Sequence, residues 1–207
     1  MKKVRKKSGA AREGGSGKPN AIVLAGLQLF NRYGYRKTSI DDIALAAQVA
    51  KRTVYLHFEN KAAVFLAILE YLGDQVRLRS AAAERAGGTA AERLTGLLDA
   101  YFGMAFEIFS KSEHVPELEE TFSMLARARI GDLNTEYENR LANFLRSLQK
   151  TGAIGGPPQG LTVEQIVHIL MQAAEGAKHD PQVQGDRKSL ERRLRELAIL
   201  AIAAMKK

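Results

Sequence analysis

The sequence predicts an all-α protein of about nine helices, and three observations support this fold class. Apolar residues recur every three or four positions over most of the chain, which is the period of a helix buried on one face. Several of these stretches begin at a capping signature, such as Thr89 with Glu92 and Thr162 with Gln165. Alternating apolar and polar residues, which would predict strands, are almost absent. A chain of 207 residues, 45% of them hydrophobic, can also bury a large core.

The positive charge is concentrated in the first 61 residues. That segment holds 13 of the 31 Lys and Arg residues but only 4 of the 23 Asp and Glu residues, so the rest of the chain is close to neutral. Such an asymmetry predicts a basic module for an anionic polymer or surface, attached to a body with another role. Residues 1–18 are basic and rich in Gly and Ser, and are predicted to be a flexible arm.

No segment predicts export or a membrane span. The chain has no cysteine, which excludes disulfides and thiolate metal sites. The basic N-terminus is not followed by the apolar run of a signal peptide, and no stretch approaches the length of about eighteen apolar residues that a span needs. A cytoplasmic protein that does not bind membranes is therefore expected.

Three short helices are predicted in the basic segment. The first begins at Pro19 and ends at Gly34, and the second is capped by Thr38 with Asp41. The third covers residues 51–57 in the stretch "KRTVYLHFENK". A turn of about three residues joins the second helix to the third, which predicts a helix-turn-helix motif. The second helix of such a motif lies in the major groove of DNA.

The third helix must be buried on one side and can bind double-stranded DNA on the other. Val54, Leu56 and Phe58 stand where core residues would fit, and Val54 and Phe58 are predicted to face inward. An ordinary solvated surface is the alternative for each polar residue of this stretch. In a helix-turn-helix, Lys51 and Arg52 can donate to guanine, Thr53 to a base or phosphate, and Tyr55, His57 and Lys61 to phosphate oxygens.

Residues 21–69 resemble the DNA-binding domain of TetR-family transcriptional repressors. The resemblance rests on "LFNRYGY" at the end of the first helix, on "TSIDDIA" and on "TVYLHFENK". It implies a homodimer, a C-terminal ligand-sensing domain of helices, and release from a palindromic operator when a ligand binds. It also implies phosphate contacts from Thr38, Tyr55, His57 and Lys61.

Two positions depart from the pattern of the family. Gln48 stands in the turn where glycine is usual, which predicts an unfavourable backbone geometry. Ala50 stands where a serine or similar residue often caps the third helix, which predicts a loss of about 1 kcal/mol of capping.

The chain is predicted to divide into a DNA-binding domain at residues 19–66 and a helical effector-binding and dimerisation domain at residues 67–207. The second domain is predicted to begin within the fourth helix and to continue with five more, at about residues 89–109, 116–125, 130–148, 162–177 and 187–205. The last two helices, the eighth and ninth, are predicted to form a four-helix interface between two chains, because Ala173 and Gly176 allow close approach. Packing of the same faces within one chain is the alternative.

A group of large apolar side chains in the second domain has two interpretations. Each can belong to the core, or several can form the wall of a pocket for a small apolar or aromatic effector, which the resemblance places between these helices. The predicted pocket residues are Phe102, Phe106, Phe109, Phe122 and Met171.

Two other classes of protein remain as alternatives. A non-specific nucleoid or architectural DNA-binding protein would have no consensus site. A helical metalloenzyme is suggested only by Glu164, His168, Glu175 and His179 on one predicted helix face, which lack the Glu-x-x-His pairs of helical metal sites. The sequence also has no Gly-rich phosphate loop and no serine elbow. We therefore predict that the chain is not an enzyme and has no metal site and no cofactor.

Overall fold

Nine α-helices and one π-helical segment are present in the computed structural model, which describes residues 17–183 and 185–205. In chain order they are α1 (Lys18–Tyr33), α2 (Ile40–Ala46), α3 (Lys51–His57), α4 (Lys61–Arg85), α5 (Ala90–Leu98), π1 (Asp99–Gly103), α6 (Met104–Phe109), α7 (Val115–Lys150), α8 (Val163–Lys178) and α9 (Arg187–Ala204). The described residues contain no strand, and the predicted all-α class is confirmed. The predicted basic arm lies outside the described residues, apart from its last two.

The first three helices form where the sequence predicts them, but the cap of α2 is one residue later. Ser39 Oγ accepts a hydrogen bond from the backbone N–H of Asp42, whose carboxylate accepts one from the backbone N–H of Ser39. Thr38 and Asp41 have the same spacing in the sequence. Thr38 is buried, however, and its hydroxyl donates to the carbonyl of Gly34 at 2.8 Å, so it cannot cap the helix.

The turn between α2 and α3 contains a residue with an unfavourable backbone conformation. Gln48 has a φ of 55°, and no other non-glycine residue of the described chain has a positive φ. This left-handed conformation costs a residue with a Cβ about 1–2 kcal/mol. Ala50 precedes α3 and provides no side-chain cap. Both departures from the family pattern therefore have the structural consequences that the sequence predicts.

We expect Gln48→Gly to raise the free energy of unfolding by about 1 kcal/mol, because glycine adopts a positive φ without steric strain. The side chain of Gln48 is exposed, so its removal loses no packing. Chemical denaturation measures the change. The control is Gln28→Gly, at an exposed glutamine inside α1, where glycine is expected to cost about 1 kcal/mol. Destabilisation by both substitutions would contradict the strain at residue 48.

The helix predicted at residues 89–109 is interrupted by π1. Thr89 and Glu92 form the predicted capping box of α5. The wider turn of a π-helix follows at Asp99, and Gly103 at its end lies so close to that residue that an added Cβ would be 2.2 Å from Asp99 Oδ1. Hydrophobic spacing does not reveal such a turn, because it inserts a single residue into an otherwise helical pattern.

The helices predicted at residues 116–125 and 130–148 are one continuous helix, α7, of 36 residues. The residues predicted to separate them are "ARAR", which are strong helix formers. Gly131 costs only about 1 kcal/mol in a helix interior and does not end it. The number of helices agrees with the prediction because one predicted helix is interrupted and two others are joined.

Two apolar clusters form the core and meet along α4. One contains side chains from α1 to α4 together with Met104 of α6 and Leu118 of α7. The other is formed mainly by α5, α7, α8 and α9. Val76 of α4 packs against both clusters. The predicted boundary at residues 66 and 67 falls inside α4, and the division into two domains stays a prediction.

Candidate DNA interface and effector cavity

The outer face of α3 is the candidate surface for reading DNA. Val54 is fully buried and Phe58, four residues later, packs against the same cluster. This pair fixes which side of the short helix faces the core. Arg52 is exposed on the opposite side, and Tyr55 and His57 are exposed to either side of it. Thr53 is half-buried.

Lys51 is held away from this face by an ion pair. Its Nζ is 2.9 Å from Asp41 Oδ2 on α2, and both side chains are more than half exposed. The contact with Asp41 raises the pKa of Lys51, so the lysine keeps its charge. An exposed pair of this kind contributes little to stability, and DNA phosphates can compete for the lysine.

Thr38 and Lys61, two of the predicted phosphate contacts, make their hydrogen bonds inside the domain. The ammonium group of Lys61 donates to the carbonyl oxygens of Tyr35 at 2.7 Å, Thr38 at 2.9 Å and Arg36 at 3.4 Å. It also lies 4.4 Å from the ring centroid of Tyr35. Burial lowers the pKa of Lys61, although Glu117 opposes the change. Lys61 thus holds the loop between α1 and α2, and its predicted phosphate contact stays a prediction.

Leu56 is not a core residue, which corrects the expectation from the sequence. Leu56 is 71% exposed. It lies on the same side of α3 as Arg52, which is one helical turn earlier in the sequence. Its place between Val54 and Phe58 in the sequence suggested burial, but residues two apart on a helix face different directions. A helical projection centred on Val54 and Phe58 would have placed Leu56 outside.

A cavity lies between α4, π1, α6, α7 and α8. Its inner part has a volume of about 280 Å³ and is mostly apolar. A more open outer part of about 560 Å³ adjoins it. Six residues contact both parts: Tyr101, Ala105, Phe109, Phe122, Ile130 and Lys178. The two parts therefore form one space, the candidate effector cavity (below, the effector cavity), which extends from the inner part to a mouth beside α7 and α8.

The inner part of the effector cavity carries neutral polar groups beside its paired charged residues. Tyr101 donates its hydroxyl hydrogen to Asn134 Oδ1 at 2.6 Å, and burial raises the pKa of Tyr101 to about 12. Ser80 lies on the wall and is completely buried, and its hydroxyl has no hydrogen-bonding partner in the described chain. A bound molecule with a polar atom in this part could satisfy that hydroxyl.

The mouth of the effector cavity carries a cation that lacks an acidic partner. Lys178 is 2.8 Å from Glu175 Oε1, and the arginines of the inner wall, Arg77 and Arg140, pair with acidic residues. The only polar contact of Arg127 among the described residues is with Ser123 Oγ at 3.4 Å. Arg127 is exposed and is available to an anionic group.

The predicted pocket residues divide into two sets. Phe109 and Phe122 contact both parts of the effector cavity, and Phe106 lines the outer part. Phe102 is buried in the core, and Met171 packs against that core, so neither lies on the cavity wall. Sequence reasoning missed Arg127, Tyr101, Asn134 and Ser80. Whether any of these residues binds a ligand stays a prediction.

The loop after α1 is attached to the helices that form the cavity. Glu117 Oε1 of α7 accepts a hydrogen bond of 2.6 Å from the backbone N–H of Arg36, and the Arg36 guanidinium is 3.0 Å from Glu120 Oε2. The ring centroid of Phe122 on the cavity wall is 4.4 Å from that of Phe65 on α4, which belongs to the same apolar cluster as Val54 of α3. The cavity wall and the apolar cluster beneath α3 therefore share side-chain contacts.

The polar stripe on α8 makes pairwise contacts with no convergence. His168 Nδ1 is 3.4 Å from Glu138 Oε1, and His179 Nε2 is 3.4 Å from Glu175 Oε1. Within the described part of the chain, no three His, Asp or Glu side chains come together as metal ligands would. None of the described helices combines the length and hydropathy that a membrane span requires.

The architecture is that of an all-α protein whose N-terminal helix-turn-helix is joined to a larger helical body. Residues 22–68 match the family of bacterial regulatory proteins of the tetR type. The uncharacterized HTH-type transcriptional regulator YuxN of Bacillus subtilis is 34% identical over 62 residues, which are 30% of this chain and 21% of that protein. The matched segment is therefore only about a fifth of the length of that relative.

Solved structures are similar over almost the whole chain. The fatty acid degradation regulator FadR from Bacillus halodurans has a TM-score of 0.65 at 20% identity, covering 94% of this chain and 98% of its own. FadR from Bacillus subtilis, solved in complex with stearoyl-CoA, has a TM-score of 0.59 at 20% identity, covering 89% and 98%. At this identity the likeness shows the fold. The match to the tetR family itself covers residues 22–68.

Proposed function

We propose that the chain is a ligand-responsive repressor that binds a palindromic operator as a homodimer. The observation that carries the proposal is the face of α3, where Arg52 projects outward from a helix fixed by Val54 and Phe58. A helix presented in this way fits the major groove, and two copies related by a twofold axis read two half-sites about 34 Å apart.

Selection of binding sites from random DNA, followed by footprinting, tests this proposal. The expected result is a consensus with two inverted half-sites, protected together. Recovery of no consensus would favour the alternative of a non-specific nucleoid or architectural protein. A consensus with a single unpaired half-site would reject the homodimer. Because specific and general binding differ in their salt dependence, the affinities must be compared at one salt concentration.

We propose further that the effector is an amphipathic molecule with a long apolar chain and an anionic group. The walls of the effector cavity are mainly apolar, the charged residues that line its inner part are paired, and its mouth carries the unpaired Arg127. The binding of stearoyl-CoA by a regulator of similar fold supports this class of ligand. An aromatic acid that stacks between Phe109 and Phe122 is the second candidate, because both rings line the same cavity.

The proposed coupling requires that the effector bind the two forms of the repressor unequally, since a ligand with equal affinity for both shifts no population. Phe122 and Glu117 lie on α7 near the cavity. They contact Phe65 of α4 and the loop between α1 and α2, respectively. A ligand that changes the packing of this part of α7 therefore acts on the placement of α3. The expected result is weaker operator binding when the ligand is present.

We expect Arg127→Gln to weaken the binding of long-chain acyl-CoA about tenfold or more, because a charge-assisted hydrogen bond contributes about 1.5–3 kcal/mol. Operator affinity without ligand should be unchanged, since Arg127 is remote in sequence from the helix-turn-helix and does not contact it in the described chain. Isothermal titration calorimetry measures the binding of acyl-CoA, and a gel shift measures release of the operator.

Lys150→Gln, at an exposed lysine of α7 outside the cavity, is the matched control and should leave ligand binding unchanged. Equal losses for the two variants would mean that Arg127 contributes only general positive charge. Binding of aromatic acids with no binding of acyl chains would reject the acyl class in favour of the second candidate.

A further inference from the structure

We infer that Leu56 reads the methyl group of a thymine in each half-site of the operator. This inference rests on the proposed function, since it assumes that α3 lies in the major groove. It assigns to α3 an apolar contact in addition to the hydrogen bonds expected from Arg52, and it specifies a T·A pair at one position of each half-site.

The position of Leu56 on α3 follows from the two residues that face the core, the buried Val54 and the partly buried Phe58. Each residue advances about 100° around an α-helix, so the midpoint of Val54 and Phe58 lies about 180° from Leu56. Val54 is fully buried and Phe58 packs on the same cluster, so that Leu56 occupies the centre of the outward face. Tyr55 and His57 lie to the two sides, in directions about 100° away from Leu56.

Arg52 and Leu56 are four residues apart and therefore lie one above the other on this outward face. Both are exposed, and Leu56 is 71% exposed. A helix that enters the major groove with Arg52 towards the base edges must bring Leu56 towards the same edges, one turn further along. Tyr55 and His57 are then directed towards the groove walls, where the phosphates lie.

An apolar side chain at this place finds one apolar partner in the major groove. The groove edges of guanine, adenine and cytosine present hydrogen-bond donors and acceptors, whereas thymine also presents its C5 methyl group. Contact between Leu56 and that methyl group removes both from water. Contact with any other base would remove polar groups from water without a partner. The chemistry of Leu56 therefore favours thymine.

The experiment uses wild-type protein, Leu56→Ala and operators in which single thymines are replaced by uracil. Uracil differs from thymine only by the absence of the methyl group, and all hydrogen bonds are retained. Burial of one methyl group contributes about 0.8 kcal/mol, or about a fourfold change in affinity for one half-site and about fifteenfold when both half-sites are changed. We expect wild-type protein to show this loss at one thymine of each half-site, measured by competition gel shift.

Leu56→Ala should bind the thymine operator more weakly than wild type and should not distinguish it from the uracil operator. The control is Leu78→Ala, because Leu78 is a leucine of α4 with 63% exposure outside the helix-turn-helix, and it should behave as wild type. Exposed leucines tolerate truncation, and circular dichroism verifies that each variant is folded.

Two outcomes overturn the inference while leaving the proposed function intact. A clear consensus at which no uracil replacement weakens wild-type binding means that no methyl group is read. A thymine preference that persists in Leu56→Ala means that another residue reads it. If selection from random DNA recovers no consensus, the proposed function fails, and the inference fails with it.

Discussion

Replacement of Arg52 by alanine should nearly abolish recognition of the operator while leaving the fold intact. Arg52 is exposed on the outward face of α3 and makes no ion pair within the described chain. A bidentate contact from arginine to guanine contributes about 1–3 kcal/mol of discrimination. The proposed homodimer would use two copies, so the expected loss is about 2–6 kcal/mol, or from about thirtyfold to about 25,000-fold in affinity.

The measurement is a comparison of affinities for the operator and for random DNA at one salt concentration. Arg52→Ala should reduce the first far more than the second and should relax the preference at one base pair of each half-site. Lys37→Ala, at an exposed cation of the same domain, is the charge-matched control and should weaken both DNAs by a similar small factor. If both variants lost affinity for the operator and for random DNA by the same factors, Arg52 would not be a base-contacting residue.

The second large effect is expected at the surface of α8 and α9. Ile169 on α8 is 54% exposed and Leu200 on α9 is 66% exposed, although both helices bury another face in the core. Gly176 of α8 has open space beside it, which permits close approach of a second helix. Replacing both Ile169 and Leu200 by glutamate should yield a monomer, because four charges would have to be buried without partners at a twofold interface.

Light scattering measures the mass, and a gel shift measures operator binding. A monomer binds the two half-sites as separate events, so its operator affinity should fall about a hundredfold to ten-thousandfold relative to the linked pair. Leu78→Glu, at a comparably exposed leucine of α4, should remain dimeric. A dimeric double variant with full operator affinity would mean that the chains associate elsewhere.

The helix-turn-helix was predictable because its determinants are local. Local residues specify the helix ends and the inward face of α3: Pro19 and Gly34 bound α1, and Val54 with the partly buried Phe58 marks the inward face. Even the positive φ of Gln48 was predictable, because it follows from the place of this residue in the turn. The predicted cap of α2 was wrong by one residue, because Thr38 with Asp41 and Ser39 with Asp42 have the same capping spacing.

Contacts between distant segments were not predictable from one sequence. The sequence predicts that Lys61 contacts DNA. In the structure its ammonium group donates hydrogen bonds to carbonyl oxygens 23 to 26 residues earlier. The cavity also depends on contacts between segments that are distant in the sequence. Phe109 and Phe122 reach it, whereas Phe102, with identical chemistry, lies within π1 and is buried in the core.

The uninterrupted course of α7 has a mechanical consequence. Its 36 residues form a rod about 54 Å long, with Glu117 near one end against the loop after α1 and Leu145 near the other in the core beside α8. These two residues are about 42 Å apart along the axis. A tilt of about 5° about the end held by α8 displaces the opposite end by roughly 4 Å over that length. α7 thus has the dimensions of a lever arm that converts a small rotation at its anchored end into a displacement comparable to the spacing of one base pair.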